Sequence, residues 1–291
     1  MAQQMSVEEA RTILKKFRDE QTRDSDLVVN IWDTVIMDSC AKLGDEVWLV
    51  YEQVCAASLD CQRYDIAEQC IQQLNEKFPN SIRVARLQGM LHEAREEYSE
   101  AEDEYKSILE KDETNMYARK RQVAILKARQ KISEAIQKLN EYLKSFMTDY
   151  EAWNELCDLY LSQHDYNNAA FCLEELIMSN PHNHLFHQKY AEIRYTQGGN
   201  ENMELARTYF SQAVKLNPNN LRALNGLLLS ASYLAVSSGK GAKDKQVNLK
   251  YATWAKEQIQ TKYEKQQAES QFKETKVTDC MEKLLESLQS N

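Results

Sequence analysis

Three clustered histidines, seven cysteines and one glycine-flanked lysine are the residues of this chain whose types and spacing could do chemistry. His184 and His187 would share a helix face at i and i+3, with His182 just before them, as a metal pair can. No third ligand accompanies them, and they follow Pro181, which ends a helix, so they read as a solvated turn. The cysteines (40, 55, 61, 70, 157, 172 and 280) are odd in number and contain no Cys-x-x-Cys pair. Their spacing matches neither a zinc site nor a disulfide framework, which points to reduced, mostly buried thiols in a cytosolic protein. Gly239-Lys240-Gly241 lacks the spacing and the preceding strand of a phosphate loop and reads as mobile surface. No nucleophile elbow, metalloprotease helix or dinucleotide fingerprint occurs, and the many carboxylates fall on solvated helix faces. The chain is expected to be no enzyme and to need no cofactor.

Chemistry therefore gives way to architecture. From Tyr150 to Asn183 the chain carries Trp153, Leu156, Cys157, Tyr160, Ala169 and Pro181 at places 4, 7, 8, 11, 20 and 32. That is the spacing of a tetratricopeptide unit, a helix–turn–helix of about 34 residues. Two antiparallel helices press together only where small side chains sit at the crossing, and Cys157 and Ala169 occupy those slots. Trp153, Leu156, Tyr160 and Leu173 are expected to bury themselves around it. The register extends in both directions as repeats 48–81, 82–115, 116–149, 150–183 and 184–220. Alanines at place 20 (67, 101, 135, 169 and 206) recur at intervals of 34, 34, 34 and 37, and the three prolines (79, 181 and 218) all fall at place 32.

The ends of the chain read as caps. Residues 1–47 hold two helices, one over about 6–20 opened by a Ser6…Glu9 capping box and one from Ser25 to Gly44. Residues 221–291 hold a degenerate sixth repeat, a basic loop over 237–245 and a terminal amphipathic helix with Val277, Met281, Leu284, Leu285 and Leu288. That last helix either covers the end of the stack or docks on a partner. The fold class is all-α, a right-handed superhelical solenoid of antiparallel helix pairs. Only 7 glycines and 3 prolines in 291 residues leave too few turns for a β fold.

A net charge of −9 disfavours nucleic acid and anionic lipid as partners. The start lacks a basic then apolar leader, and Leu221–Val236 is too short and too interrupted to span a membrane. Function is then expected on surfaces. The first helix of each repeat should line a groove, with Arg83, Arg86, Tyr117, Lys120 and Arg121 making it basic at first. Glu151, Asn154, Glu155 and Asp158 make it acidic beyond, a polarity that could orient an extended partner segment. Only Asn154 fits the paired-asparagine clamp by which some chaperone-tail binders hold a terminal carboxylate, so that clamp is not expected.

Several blocks are more specific than the repeat. Ala169-Ala-Phe-Cys-Leu-Glu-Glu-Leu176, Asn180-Pro-His-Asn-His-Leu185, Tyr190-Ala-Glu192 and Tyr195-Thr-Gln-Gly-Gly199 closely resemble the family of subunit 2 of the endoplasmic reticulum membrane protein complex. Tyr51-Glu-Gln-Val54, Ala118-Arg-Lys-Arg121 and Leu139-Asn-Glu-Tyr-Leu143 carry the same likeness. The resemblance implies a non-catalytic scaffold, peripheral on the cytosolic face of the endoplasmic reticulum. It would hold cytosolic parts of membrane-spanning subunits together with a soluble subunit. The complex so assembled would insert transmembrane segments, tail anchors included. The competing expectation is a soluble co-chaperone that docks peptide tails reversibly.

Overall fold

A computed structural model describes residues 5–237 and 241–269 of the chain. The expected terminal helix over Val277–Leu288, Cys280 and the centre of the basic loop lie outside the described residues. Among the described residues every regular element is a helix. The order is α1 (Val7–Glu20), α2 (Ser25–Ile31), α3 (Val47–Asp60), α4 (Tyr64–Lys77), α5 (Ile82–Ala94), α6 (Tyr98–Lys111) and α7 (Met116–Ala128). It continues with α8 (Ile132–Ser145), α9 (Tyr150–Ser162), α10 (Tyr166–Ser179), α11 (His184–Gln197), α12 (Asn200–Leu216), α13 (Leu221–Val236) and α14 (Ala242–Glu269). None is long and apolar enough to cross a membrane. The chain divides into two compact units, one through Lys138 and one from Leu139.

In the first unit α3 pairs with α4 and α5 with α6, and α7 packs on α6. Val50, Val54, Cys55, Ala67, Cys70, Leu74, Leu87 and Leu91 form one core with Leu14, Ile31, Trp32 and Ile36 from the N-terminal segment. Tyr105, Ile108, Ala118 and Ile125 form the next. In the second unit α9 pairs with α10, α11 with α12 and α13 with α14. Leu156, Cys157, Leu173 and Leu176 are fully buried there, and Phe210, Leu224, Leu227, Ala231, Ala252, Ala255 and Ile259 close its far end. The alanines at place 20 are all 0 % exposed, because any larger side chain there would hold the paired helices apart.

Helix starts repeat as regularly as the core. Asn115, Asp149, Asn183 and Asn220 stand just before α7, α9, α11 and α13. Each side-chain oxygen accepts a backbone N–H from the first turn, at 3.1, 3.1, 3.0 and 3.0 Å. Such a cap satisfies a donor the helix cannot, and each is worth about 1 kcal/mol. The capping box at the start of α1 is also present, Glu9 reaching back to the Ser6 N–H at 2.8 Å. Its carboxyl sits below the ordinary value because the Ser6 backbone and side chain both donate to it.

Two features depart from the sequence reading. The helix opening at Ser25 ends at Ile31, then widens into a π-helical segment over Trp32–Ile36 and tightens into a 3-10 segment over Met37–Glu46. The widened segment buries both Trp32 and Ile36. Around the α9–α10 crossing Leu156 and Leu173 are buried, but Trp153 and Tyr160 are only half-buried. Trp153 spans the repeat edge, donating its indole N–H to the Met147 carbonyl at 2.9 Å and meeting Phe171 edge-on. The polar run after Ile259 continues α14 to Glu269, since Lys, Glu, Gln and Ala are all good helix formers.

The turn inside each repeat has its own signature. Gln62, Glu96, Gln130 and His164, all at place 15, adopt left-handed φ of 59°, 62°, 60° and 57°. Gly198 takes the same place in the fifth repeat with φ 72°. The left-handed region costs a side-chain-bearing residue about 1–2 kcal/mol, and glycine escapes that cost at the expense of unfolded-state entropy. Replacing Gln130 or His164 by glycine is therefore expected to stabilise the chain by about 0.5–1 kcal/mol, read as a higher urea midpoint at unchanged slope.

Candidate functional site

In the first unit the face of interest is built by α3, α5 and α7. Arg83 on α5 reaches back to Glu52 on α3 at 2.5 Å and is mostly exposed. Arg121 on α7 reaches back to Glu93 on α5, its Nε donating to Oε1 at 2.8 Å and its second amine pairing with Oε2. The buried Tyr105 hydroxyl donates to the same Glu93 Oε1 at 2.6 Å. Burial raises the Tyr105 pKa, and the bond to Glu93 raises it further. For Arg121 burial works against the charge, but the Glu93 hydrogen bonds and charge outweigh it and leave its pKa above the ordinary value.

Arg86 behaves differently. Its guanidinium lies over the Tyr117 ring, 4.9 Å from the centroid, and pairs with no carboxylate among the described residues. Tyr117 is half-buried, and burial raises its pKa against the opposing charges of Arg121 and Arg86. Lys120, on the same helix, has contacts of its own.

In the second unit Asn154 and Asp158 of α9 both meet Lys189 of α11, at 3.3 and 2.7 Å. Glu151 and Glu155 are engaged as well. Further along, Arg222 of α13 pairs with Glu192 of α11. Arg194 reaches Glu174 at 3.1 Å, where the Tyr190 hydroxyl also donates at 2.8 Å.

A rule emerges that the sequence reading missed. A cation on the first helix of one repeat reaches back to an acid 28–31 residues earlier, in Arg83–Glu52, Arg121–Glu93, Lys189–Asp158 and Arg222–Glu192. A second series, Arg95–Glu68 and Arg129–Glu102, is spaced by 27 in both cases. The signal was present as matched spacings of opposite charge. Apart from the part-buried Arg121–Glu93, exposed pairs of this kind stabilise by about 0–1 kcal/mol each, so their chief effect is on register between repeats. The structure thus brings Arg83, Arg86, Tyr117 and Arg121 together on neighbouring helices, and Asn154 and Asp158 around Lys189. The basic set belongs to the first unit and the acidic set to the second.

The chemically suggestive residues of the opening paragraph are occupied with structure. His187 Nε2 lies 2.8 Å from the Pro181 carbonyl, and His184 sits between Asn217 and Asn220. Among the described residues no group of histidines, cysteines and carboxylates could hold a metal ion. Burial pushes the thiols up, Cys55 to about 12, Cys157 to about 11 and Cys172 to about 12, so they are protonated and poorly nucleophilic at neutral pH.

Comparison with known proteins bears on the fold and the family. A family model described as the EMC2 TPR-like repeat domain matches residues 63–215. The chain is 50% identical to ER membrane protein complex subunit 2-A of Xenopus laevis, over 97% of its own length and 95% of that protein's. It belongs to the ER membrane protein complex subunit 2 family. Likeness within this family extends to the Dictyostelium discoideum subunit 2, 34% identical over 86% of this chain and 81% of that one. The fold is shared more widely. The C-terminal part of a TPR repeat-containing protein from Cytophaga hutchinsonii superposes with a TM-score of 0.58 at 15% identity, covering 86% of this chain and 92% of that one. The family-model match begins at Arg63 and ends at Lys215, leaving the N-terminal segment, α3 and the α13–α14 pair outside it.

Proposed function

We propose that this chain is a non-catalytic scaffold subunit of an endoplasmic reticulum membrane protein complex, bound peripherally on the cytosolic face. There it holds cytosolic segments of membrane-spanning subunits and a soluble subunit while the assembly inserts transmembrane segments, tail anchors among them. The observation that carries the reading is half-identity, along nearly the whole chain, to a protein named as subunit 2 of that complex. The physical chemistry is consistent with it. Repeats stitched by matched ion pairs offer a row of first helices whose remaining polar groups can meet an extended segment. Arg83, Arg86, Tyr117, Lys120 and Arg121 in one unit, and Glu151, Asn154, Glu155 and Asp158 in the other, are the partner-facing residues of this reading.

A tagged chain expressed in cells is expected to sediment with endoplasmic reticulum membranes. After detergent extraction it should elute in one large complex with membrane-spanning proteins. A chain that stays in the soluble fraction and binds free chaperone tail peptides would instead be the reversible co-chaperone, and the scaffold reading would be wrong.

A further inference from the structure

Among the described residues every arginine except two is paired with a carboxylate. One exception, Arg207, donates to the Asn248 side chain instead. The other is Arg86. Its Nε is buried without a hydrogen-bond partner, and its guanidinium rests on Tyr117. A buried N–H with no acceptor is costly to keep, so a chain that otherwise matches its arginines so thoroughly has a use for this one.

The neighbouring acid does not serve it. Glu93 is engaged elsewhere, with Arg121 gripping both oxygens and the Tyr105 hydroxyl donating to one of them. The cluster Arg86, Tyr117, Arg121, Glu93 and Tyr105 therefore holds two guanidinium charges against one carboxylate. The surplus is a single positive charge, located on Arg86. Stacking on an aromatic ring fixes the guanidinium plane and leaves its edge as a planar fork, the arrangement that recognises a carboxylate by two parallel hydrogen bonds.

From this we infer that Arg86 receives a side-chain carboxylate from an acidic partner segment laid across α5 and α7. The inference rests on the proposed role of the first helices as partner surfaces and gives that role its chemistry. A single surplus charge fits one carboxylate. A phosphorylated segment would bring a dianion to a site that already holds Glu93, and nucleic acid would bring a row of phosphates to a chain of net charge −9.

The test uses the full chain and a fluorescein-labelled peptide of alternating glutamate and serine, with a glutamine–serine peptide as control. Fluorescence anisotropy is expected to show saturable binding of the glutamate peptide and none of the control. Arg86→Gln should weaken binding about tenfold or more, and Arg86→Lys, which keeps the charge but loses the fork, by less. Glu93→Gln frees Arg121 as a second fork and should tighten binding. Because Arg86 has no ion pair among the described residues, and the stacking lost is offset by relief of its unpartnered buried N–H, the Arg86 variants should melt close to the parent chain. Arg86→Lys keeps the test open if the glutamine variant misfolds. Equal binding by Arg86→Gln and the parent, equal binding of the glutamine control, or tighter binding of a phosphoserine–serine peptide would each overturn the inference. No membrane component enters this assay. Sedimentation of the parent chain with membranes, without Arg86-dependent peptide binding, would remove this site and leave the scaffold reading standing.

Discussion

Gly226→Val is expected to cost about 3 kcal/mol, at the upper end of what overpacking a well-filled core does. Gly226 lies inside α13, where glycine is worse than alanine by about 1 kcal/mol, so propensity alone argues against it. The reason for it is Phe210 of α12. A Cβ placed on Gly226 would overlap the Phe210 ring, and that ring is 2% exposed in a core it shares with Leu224, Leu227 and Ala231. The helices can approach this closely only because one of them has no side chain at the crossing. Gly226→Ala should fall between valine and the parent, since regained propensity offsets part of the clash. Adding Phe210→Leu to Gly226→Val should recover part of the loss, a non-additive pair expected of residues in direct contact. Urea denaturation followed by circular dichroism reads all four chains. A valine variant as stable as the parent would mean that α12 and α13 do not pack at this distance. Gly89 repeats the device in the first unit, where an added Cβ would stand 2.7 Å from Tyr105 Cζ.

These crossings were the most legible part of the molecule. Small residues at two places of a repeating register say where helices meet, and Cys55, Ala67, Cys157 and Ala169 are all fully buried where the spacing put them. The third repeat shows the limit of that logic. Val123 occupies the small slot and is still 1% exposed, so the slot tolerates a β-branched side chain. The aspartate and asparagine caps before α7, α9, α11 and α13 could have been read from their spacing alone. The left-handed turns at Gln62, Glu96 and Gln130 could not, because Gln and Glu do not announce such a φ; of the four side-chain-bearing residues only His164 is of a type enriched there. In α14 Ala252, Ala255 and Ile259 face α13, whereas Val247, Tyr251 and Trp254 are exposed. The candidate site was legible only as a set of helix positions. Whether an arginine at such a position is free or paired depends on an acid about 30 residues away, and composition cannot tell the two apart.

Arg86 and Arg121 make that distinction measurable. Both are arginines on first helices of adjacent repeats, both lie near Tyr117, and both were expected to face a partner. Arg121→Ala should destabilise the chain by about 2 kcal/mol. It strands Glu93, whose side chain is only 12% exposed, beside a fully buried Tyr105 that can supply one donor where Arg121 supplied two. Removing one partner of a fully buried pair costs about 3–5 kcal/mol, but a third of the Arg121 side chain meets water, so the lower figure applies. Combining Arg121→Ala with Glu93→Gln should restore much of the loss, because a neutral amide is far cheaper to leave half-satisfied than a carboxylate. Arg86→Ala, by contrast, removes no ion pair, and the stacking it loses on Tyr117 is offset by relief of a buried N–H that has no acceptor. It is expected to change stability by no more than about 0.5 kcal/mol in either direction. The pair of variants therefore separates two roles that look the same in sequence, one guanidinium that joins repeats and one held ready for a partner. Equal losses of stability from the two would mean that Arg86 is as much a part of the fold as Arg121, and its assignment as a binding residue would fall with that result.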